Sequence, residues 1–174
     1  AKINSHFLYN TLNTIKWQGI SQSQMDIANS IVALTKILEY SCKNTLDMVA
    51  LREEIQFIED YIYIQNMRYG SSVVVKYQIE DDCRECLVLK MLLQPIVENA
   101  LIHAFDNSGE GNVITVTCKK NKGHMKISVY DNGRGFQYEG FDKLTGIGLS
   151  NIKDRLELNF GTESEMQIYS VIGE

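Results

Sequence analysis

The sequence predicts an α+β fold, with a helical region first and a small sheet domain after it. Up to residue 69, apolar residues recur mainly at the spacing of an α-helix. From residue 73 onward, β-branched and aromatic runs bounded by glycine turns appear instead. With 174 residues, 44% of them hydrophobic and 22% charged, the chain can form one ordinary domain, or a small domain with a helical appendage.

Charge and composition exclude some classes of function. The formal net charge is −5, so the chain lacks the basic surface that nucleic-acid binding requires. No run approaches the ~18 apolar residues of a membrane span, and no signal peptide is visible. Because Ala1 already lies inside a helical pattern, and 169–174 look like a strand and the start of a turn, we expect a fragment of a longer protein.

The first helical pattern, over residues 3–19, places a histidine away from its apolar stripe. Leu8, Leu12 and Ile15 form that stripe. The other side carries His6, Asn10, Asn13 and Trp17. A single exposed histidine is usually an inert surface residue. Beside a nucleotide site it is a candidate phosphoryl acceptor, because neutral imidazole is a good nucleophile.

A second helix is predicted at 25–43, after a turn at 19–24 in which Ser23 is a candidate cap. Its apolar face consists of Ile27, Ile31, Leu34 and Leu38, widened by Ala28, Val32 and Thr35. Two helices joined by a short turn form a hairpin, which cannot bury a wide apolar face alone. We therefore expect it to dimerise into a four-helix bundle, with packing inside the chain as the alternative.

A third helix is predicted at 51–69 and ends at Gly70. It is apolar on two sides, so we expect it to be packed on two sides. The residues concerned are Leu51, Ile55, Ile58 and Ile62 on one side, and Phe57, Tyr61 and Ile64 on the other. We place the domain boundary after it, with a helical region at 1–69 and a sheet domain at 70–174.

The sheet domain is predicted to contain three or four strands with helices on one face. The strands are expected at 73–79, 113–118, 125–130 and 166–172, with a hairpin turn at 121–123, and the helices at 91–106 and 148–159. Cys83 and Cys86 form a CxxC pair. A zinc site would need a second pair and a redox site a thioredoxin-like context, so we favour reduced thiols.

Polar residues and glycines at the ends of these elements suggest a nucleotide site. Asp131 directly follows a strand, and two glycine pairs allow tight turns, the second just before a helix whose N–H groups favour phosphate. The pairs are Gly133 with Gly135 and Gly146 with Gly148. The helix predicted at 91–106 carries three polar residues: Glu98, Asn99 and His103. The sequence GxxxxGK[ST] is missing, so the site is not a P-loop.

These motifs resemble known ones in the right order along nearly the whole chain. Residues 3–13, Ile-Asn-Ser-His-Phe-Leu-Tyr-Asn-Thr-Leu-Asn, resemble the phosphoacceptor motif of LytS/YesM-type sensor histidine kinases. Residues 94–103 resemble the N box of the GHKL ATPase superfamily, which includes gyrase and Hsp90. Asp131–Gly135 resembles its G1 box, and Gly146–Gly148 resembles its G2 box.

The resemblance implies a dimerising helical hairpin followed by a GHKL-type α/β sandwich that binds ATP. His6 would receive the γ-phosphoryl group, Asn99 would ligate Mg²⁺, and Asp131 would bind the adenine amino group. The other residues carried over to the nucleotide site are Glu98, His103, Gly133, Gly135, Gly146, Gly148, Asn151 and Arg155.

The resemblance also implies a partner and a cellular setting. The partner is a response regulator of the AraC or LytR type, which would accept the phosphoryl group on an aspartate. The chain would be the cytoplasmic part of a homodimeric sensor kinase, with a membrane sensor upstream. Two alternatives stay open: a GHKL ATPase without a phosphohistidine, and a dimerising module with a degenerate nucleotide site.

Three departures from the family pattern bear on these expectations. Ser5 stands where the family usually has proline, and Phe7 stands where many histidine kinases have an acidic residue after the acceptor. The base for His6 is therefore unassigned, with Glu98 as a candidate catalytic residue. The family normally continues past Glu174 with one more strand, so we expect the last strand of the domain to be missing.

Overall fold

The structure is a computed structural model, and it describes residues 5–42, 47–70, 72–105, 111–136 and 147–172. The chain divides into two compact units. The first comprises Ala1–Thr45 and Gln56–Ser71, and the second comprises Leu46–Ile55 and Ser72–Glu174. Of the predicted site residues, Gly146 lies outside the described residues, and so does the side chain of His6.

The first unit is built from helices. Helix α1 spans Ser5–Ser21, α2 spans Met25–Cys42, and α3 spans Leu51–Tyr69, all close to the predicted bounds. The first two helices pack against each other as the predicted hairpin. Gly70 follows α3 with φ of 61°, the left-handed conformation expected of a glycine that ends a helix.

Ser23 belongs to the turn that terminates α1, so the prediction that it caps the next helix is wrong. It has φ of 56°, and its N–H donates to the Ile20 carbonyl over 3.1 Å. The N–H of Gln24 donates to the Gly19 carbonyl over 2.8 Å. These two bonds form a Schellman motif with serine in the left-handed position that glycine usually fills.

Burial in the hairpin follows the predicted faces only in part. Leu12 and Ala28 are buried, but Ile15 is 38% exposed and Ile27 is 48% exposed, so the hairpin by itself leaves part of these apolar faces uncovered. A pair of helices covers only a narrow part of each apolar stripe, so the edges of the stripe stay exposed to solvent. Trp17 is 63% exposed, and Asn10 and Asn13 are exposed, as predicted.

The C-terminal half of α2 is attached to α3 by specific contacts inside the first unit. The Tyr40 and Phe57 rings lie 4.9 Å apart between centroids, and the Lys36 ammonium lies 3.5 Å from an Asp60 carboxylate oxygen. Both aromatic residues are buried. The side of α3 that carries Phe57 is therefore packed, in agreement with its predicted second apolar stripe.

The second unit contains two small sheets within the described residues. Strands β1 (Met48–Ala50) and β3 (Leu87–Leu89) pair antiparallel. Strand β2 (Val74–Ile79) runs parallel to β4 (Val113–Asn121), which pairs antiparallel with β5 (His124–Asp131). Strand β4 is central, and its alternate residues Ile114, Val116 and Cys118 are fully buried.

The strand predictions succeed in the centre of the domain and fail at its end. The three strands of the larger sheet were predicted, whereas β1 and β3 were too short to produce a pattern. No strand is assigned over 164–172, so the strand predicted at 166–172 is wrong. Its side chains alternate between exposed and half-buried, but a strand also requires a backbone ladder to a neighbour.

The helices of the second unit frame the candidate site. Helix α4 spans Gln94–Asn99 and continues as a π-helical turn over Ala100–Ala104. Helix α5 spans Ile147–Phe160. The predicted single helix at 91–106 is therefore shorter, and it is α-helical only to Asn99. Together the two units confirm an α+β fold with helices first and a sheet domain after them.

The hairpin between β4 and β5 yields a stability prediction. Lys122 and Gly123 have φ of 49° and 85°, which identifies a two-residue type I′ turn. Among the described residues, no atom lies within 4 Å of a Cβ built on Gly123. Gly123→Ala should therefore lower the free energy of unfolding by about 1–2 kcal/mol through backbone strain alone. Urea denaturation measures this change.

The neighbouring turn position supplies the control. Lys122→Asn should leave stability unchanged or raise it, because asparagine is favoured at the first position of this turn. Equal stability of Gly123→Ala and the parent chain would contradict the assigned turn.

Candidate nucleotide-binding site

Helix α4 carries the polar residues predicted for the site. Glu98 and Asn99 are half-buried, and His103 is exposed. The Gln94 amide donates to Glu98 Oε1 over 3.0 Å, which orients that carboxylate. Pro95 lies in the first turn, where its missing N–H has no consequence.

The change from α to π geometry falls directly after Asn99. The N–H of Ala100 is shared between the Ile96 and Val97 carbonyls, and residues 100–104 then follow the wider π turn. A π turn adds a residue to the hydrogen-bonded ring, so the rule that residues four apart share a face of an α-helix does not apply to Asn99 and His103. Such turns are frequent at functional sites.

A buried carboxylate that the sequence analysis missed fixes the start of α4. Glu54 of α3 is fully buried, and its two oxygens accept the N–H groups of Met91 over 2.6 Å and Leu93 over 2.9 Å. Met91 has φ of 57°, an uncommon conformation for a residue other than glycine. The turn before α4 is therefore held in a specific shape by charge-assisted hydrogen bonds.

Helix α5 packs against the beginning of α4. A Cβ built on Gly148 would lie 3.2 Å from Pro95 Cβ, and Ile152 is buried one turn later. The Arg155 guanidinium donates to the Lys90 carbonyl over 2.7 Å, next to the turn that Glu54 holds. Arg155 thus has a backbone partner in the chain itself, whereas Asn151 is exposed on the same helix.

The loop after β5 packs against the other end of the α4 segment. Asp131 is half-buried, and its Oδ1 accepts the N–H of Gly133 over 3.0 Å. The N–H of Arg134 donates to the Ala104 carbonyl over 2.9 Å, and Arg134 Nε donates to the His103 carbonyl over 3.1 Å. The Asp131 carboxylate is therefore oriented by a loop that is itself bonded to the π turn.

Asn132 is a second residue that the sequence analysis missed. Its Oδ1 accepts the Val113 N–H over 2.7 Å, and its Nδ2 donates to the Gly111 carbonyl over 2.9 Å. Its own N–H donates to the Val113 carbonyl over 3.1 Å. Asn132 thus extends the β4–β5 pairing into the loop. An asparagine beside glycine in a loop gives no sequence signal of that role.

The glycines of the loop are required by the chain's own packing. A Cβ on Gly133 would collide with the side chain and carbonyl of Ala104. Gly135 has φ of 66°, and its Cβ would collide with the Val171 carbonyl. The sequence analysis assigns these glycines to tight turns at a nucleotide site. In the structure, each glycine is also needed for packing, because a side chain there would collide with another segment of the chain.

Among the described residues of the second unit, the loop that carries Asp131 and the beginning of α5 both lie against one helical segment, which is α4 with its π turn. Helix α5 contacts its first turn and the Asp131 loop contacts its last, with Glu98 and Asn99 between those contacts along the chain. The groups present are the Asp131 carboxylate, the Asn99 amide and the first N–H groups of α5. The carboxylate can accept a hydrogen bond from adenine, the amide oxygen is suited to a hard cation, and the helix N–H groups are suited to phosphate.

Comparison with known proteins matches both parts of the chain. The family model described as histidine kinase matches residues 1–73. The model described as histidine kinase-, DNA gyrase B-, and HSP90-like ATPase matches residues 88–172. The sensor histidine kinase YesM of Bacillus subtilis is 35% identical over 172 residues, which are 98% of this chain and 30% of YesM. The chain belongs to the histidine kinases.

A second curated relative and one solved structure are also similar to this chain. The sensor protein LytS of Staphylococcus saprophyticus is 32% identical over 184 residues, covering 98% of this chain and 30% of LytS. A solved structure of a blue-light activated histidine kinase from Erythrobacter litoralis is 18% identical, with a TM-score of 0.48. It covers 92% of this chain and 58% of that one.

These matches confirm the resemblance to LytS/YesM-type kinases and to the GHKL ATPases. The chain spans about a third of the length of these curated relatives (30% of each), and its two parts match the histidine kinase model and the related ATPase model. The matched ATPase family implies ATP binding by the second unit. Among the helices of the described residues, none is both long and apolar enough for a membrane span.

The Glu54 contact yields a test of how this histidine kinase unit is held together. In Glu54→Gln, an amide NH₂ replaces one carboxylate oxygen, so one of the two backbone donors loses its acceptor. We expect the free energy of unfolding to fall by about 2–3 kcal/mol, because a buried hydrogen bond to a charged group is lost. Urea denaturation measures the loss.

The adjacent residue is a matched control. Glu53 is only half-buried, so Glu53→Gln should change stability by less than about 0.5 kcal/mol. If both variants have the same stability, the carboxylate of Glu54 does not anchor the turn.

Proposed function

We propose that this chain binds Mg²⁺-ATP, accepts the γ-phosphoryl group on His6 and passes it to an aspartate of a response regulator. The observation that carries the proposal is the docking of α5 onto the beginning of α4 and of the Asp131 loop onto the π turn that follows α4. This arrangement occurs in a chain whose two parts match a histidine kinase model and the related ATPase model.

The second unit supplies the nucleotide contacts in this proposal. Asp131 accepts a hydrogen bond from the adenine amino group, using a carboxylate that the Gly133 N–H already orients. The Asn99 amide oxygen ligates Mg²⁺, which commonly takes few protein ligands and keeps several waters. The beginning of α5, near Gly148, favours the phosphates through its N–H groups. Gly135, Gly146, His103, Asn151 and Arg155 complete the proposed set.

The phosphoryl transfer depends on position and charge more than on covalent help from the protein. An imidazole nitrogen of His6 forms a bond to the γ-phosphorus as the bond to the ADP oxygen breaks. Glu98 is the candidate base, with its carboxylate oriented by the Gln94 amide. We further propose the domain boundary after residue 69.

We also propose that the chain works as a homodimer through the hairpin of α1 and α2. Its exposed apolar side chains support this assignment: Phe7, Ile15, Trp17, Ile20, Met25, Ile27 and Val32. A second copy of the hairpin would cover such a surface in a four-helix bundle. In the full protein the chain would lie in the cytoplasm, attached to an upstream membrane sensor.

Replacement of His6 tests the kinase assignment. Incubation with Mg²⁺ and γ-labelled ATP should produce an acid-labile, alkali-stable label on the parent chain, as phosphohistidine requires. His6→Gln should abolish the label. The matched control is His124→Gln, because His124 is exposed at the far end of the β4–β5 hairpin and should leave labelling unchanged.

Each contrary result has a definite meaning. Label that persists in His6→Gln places the acceptor elsewhere. A folded chain that binds and hydrolyses ATP without label is an ATPase and not a kinase.

Replacement of Asp131 tests the nucleotide assignment separately. Asp131→Asn keeps the Oδ1 acceptor for the Gly133 N–H and exchanges the other oxygen for a donor, so the loop should stay folded. We expect the Kd for a fluorescent ATP analogue to rise about ten- to a hundredfold, which corresponds to one hydrogen bond to a charged acceptor.

An exposed aspartate on α5 supplies the control for this titration. Asp154→Asn should bind the analogue as the parent chain does. Unchanged affinity in Asp131→Asn, or no binding by a folded parent chain, would contradict the proposed site and favour a degenerate one.

A further inference from the structure

The CxxC pair has no part in the proposed function, and the structure places it in one tight turn. Asp81–Cys83 form a short 3₁₀ turn after β2, and the chain turns again over Arg84 and Glu85. The N–H of Cys86 donates to the Cys83 carbonyl over 3.0 Å, which closes the turn 83–86. The sequence analysis favours reduced thiols for this pair, and both cysteines are free thiols in the structure.

The closed turn meets the distance requirement for a disulfide bond between its two ends. A hydrogen-bonded turn of four residues keeps its first and last Cα atoms within about 7 Å. Disulfide bonds join residues whose Cα atoms lie about 4.4–6.8 Å apart. The backbone of 83–86 therefore has nearly the span that a bond between the two sulfur atoms needs, so bond formation requires side-chain rotation and a small closure of the turn.

The two thiols differ in their access to solvent. Cys86 is half-buried and can be reached by a small molecule, whereas Cys83 is fully buried. Cys86 Sγ donates to the Asp82 carbonyl over 3.3 Å, and the Lys120 ammonium donates to the same oxygen over 3.3 Å. A cation beside a thiol favours the thiolate, the form that attacks disulfides. Cys86 is therefore the attacking thiol, and Cys83 is the resolving thiol.

Cys118 is the remaining thiol of the second unit and takes no part in this chemistry. It is fully buried in β4, where a small molecule does not reach it. Burial also raises the pKa of the Cys118 thiol to about 12. The thiol therefore stays protonated near neutral pH and is a poor nucleophile.

The carbonyl groups of the same turn cap the beginning of α3. The Leu51 N–H donates to the Cys86 carbonyl over 2.9 Å, and the Arg52 N–H donates to the Arg84 carbonyl over 3.0 Å. The Arg52 guanidinium also lies 2.9 Å from a Glu85 carboxylate oxygen. The first N–H groups of a helix have no partner within that helix, so α3 depends on the turn 83–86 for them.

The beginning of α3 is connected in turn to the candidate nucleotide site. Glu54 lies in the first turn of α3, three residues after Leu51, and its carboxylate accepts the N–H groups of Met91 and Leu93. A disulfide would draw Cys86 toward Cys83 and away from the Leu51 N–H. This change would reach the turn before α4 through a single helical turn.

We propose that Cys83 and Cys86 are a redox-active dithiol, and that their oxidation to a disulfide weakens the cap of α3 and its hold on the turn before α4. The oxidant is a low-molecular-weight disulfide such as glutathione disulfide. The Cys86 thiolate attacks one of its sulfurs and expels one thiolate. The Cys83 thiolate then attacks Cys86 Sγ and expels the other. The two expelled thiolates take up the two protons that the cysteines lose, so two thiols are oxidised as one disulfide is reduced.

Oxidation by glutathione disulfide tests the proposal. It is carried out on Cys42→Ser, because the exposed Cys42 thiol would form a mixed disulfide of its own. Of the three remaining thiols, oxidation should leave one, with no bound glutathione and with full recovery by dithiothreitol. Trypsin cleavage after Arg84 separates the pair into peptides 77–84 and 85–90, which should stay joined, whereas Cys118 lies in peptide 91–119.

Cys86→Ser in the same background is the matched variant. The serine hydroxyl can still donate to the Asp82 carbonyl, so the turn should stay folded, but no intramolecular disulfide should form.

Hydrogen exchange of backbone amides measures the connection to α4. Oxidation should speed exchange at Leu51, Met91 and Leu93 about tenfold, the factor expected for loss of one hydrogen bond at each position. Reduction should reverse the change, and Cys86→Ser treated in the same way should not show it. The proposal is overturned by a folded chain that keeps its three thiols, by a disulfide that includes Cys118, or by equal exchange at these amides in both redox states.

Discussion

Two backbone N–H groups bound to one buried carboxylate are the contact on which the candidate site depends. Glu54 is removed from water, and such a charge is tolerated inside a protein only when hydrogen bonds replace its hydration. Met91 and Leu93 provide them, one to each oxygen. Because Leu93 directly precedes α4, the carboxylate fixes where that helix begins. Arg155 attaches α5 to the same turn through the Lys90 carbonyl.

The far end of the same helix is fixed by backbone geometry. The π turn brings the Ala104 carbonyl to the Arg134 N–H and the Ala104 side chain against Gly133. A regular α-helix would turn the residues after Asn99 through a different angle, and the Asp131 loop would lose this contact. The short helix is thus held at its start by a charge and at its end by a local change of helix type.

The sequence predicted those features that local periodicity determines. The three N-terminal helices and the β4–β5 hairpin follow from apolar spacing and from the turn at Lys122 and Gly123, so their bounds agree closely with the structure. The strand expected at 166–172 has the alternation of a strand, but a ladder depends on a partner that the segment's own residues do not specify. The π turn over Ala100–Ala104 likewise reflects contacts with Gly133 and Arg134, which lie about thirty residues away.

The sequence contains a signal for the role of Glu54, but the choice of candidate residues overlooked it. It lies three residues after Leu51 and four before Ile58, on the apolar stripe of α3, where a charged residue has to be matched by buried donors. The polar residues chosen from the sequence were those near glycines, at the ends of elements. That choice selects candidates for ligand contact, but it does not find the buried residues that support them.

The glycines in the regions that resemble the G1 and G2 boxes have a packing role in addition to their predicted role in ligand binding. Gly133 touches Ala104, Gly135 touches Val171 and Gly148 touches Pro95, so each glycine marks a place where two segments of the second unit meet. A side chain at Gly133 would separate the segment that carries Asp131 from the end of the helical segment that carries Glu98 and Asn99, and a side chain at Gly135 would separate it from Val171. The spacing of these glycines therefore specifies how the elements dock. The relative positions of the candidate nucleotide residues follow from that docking.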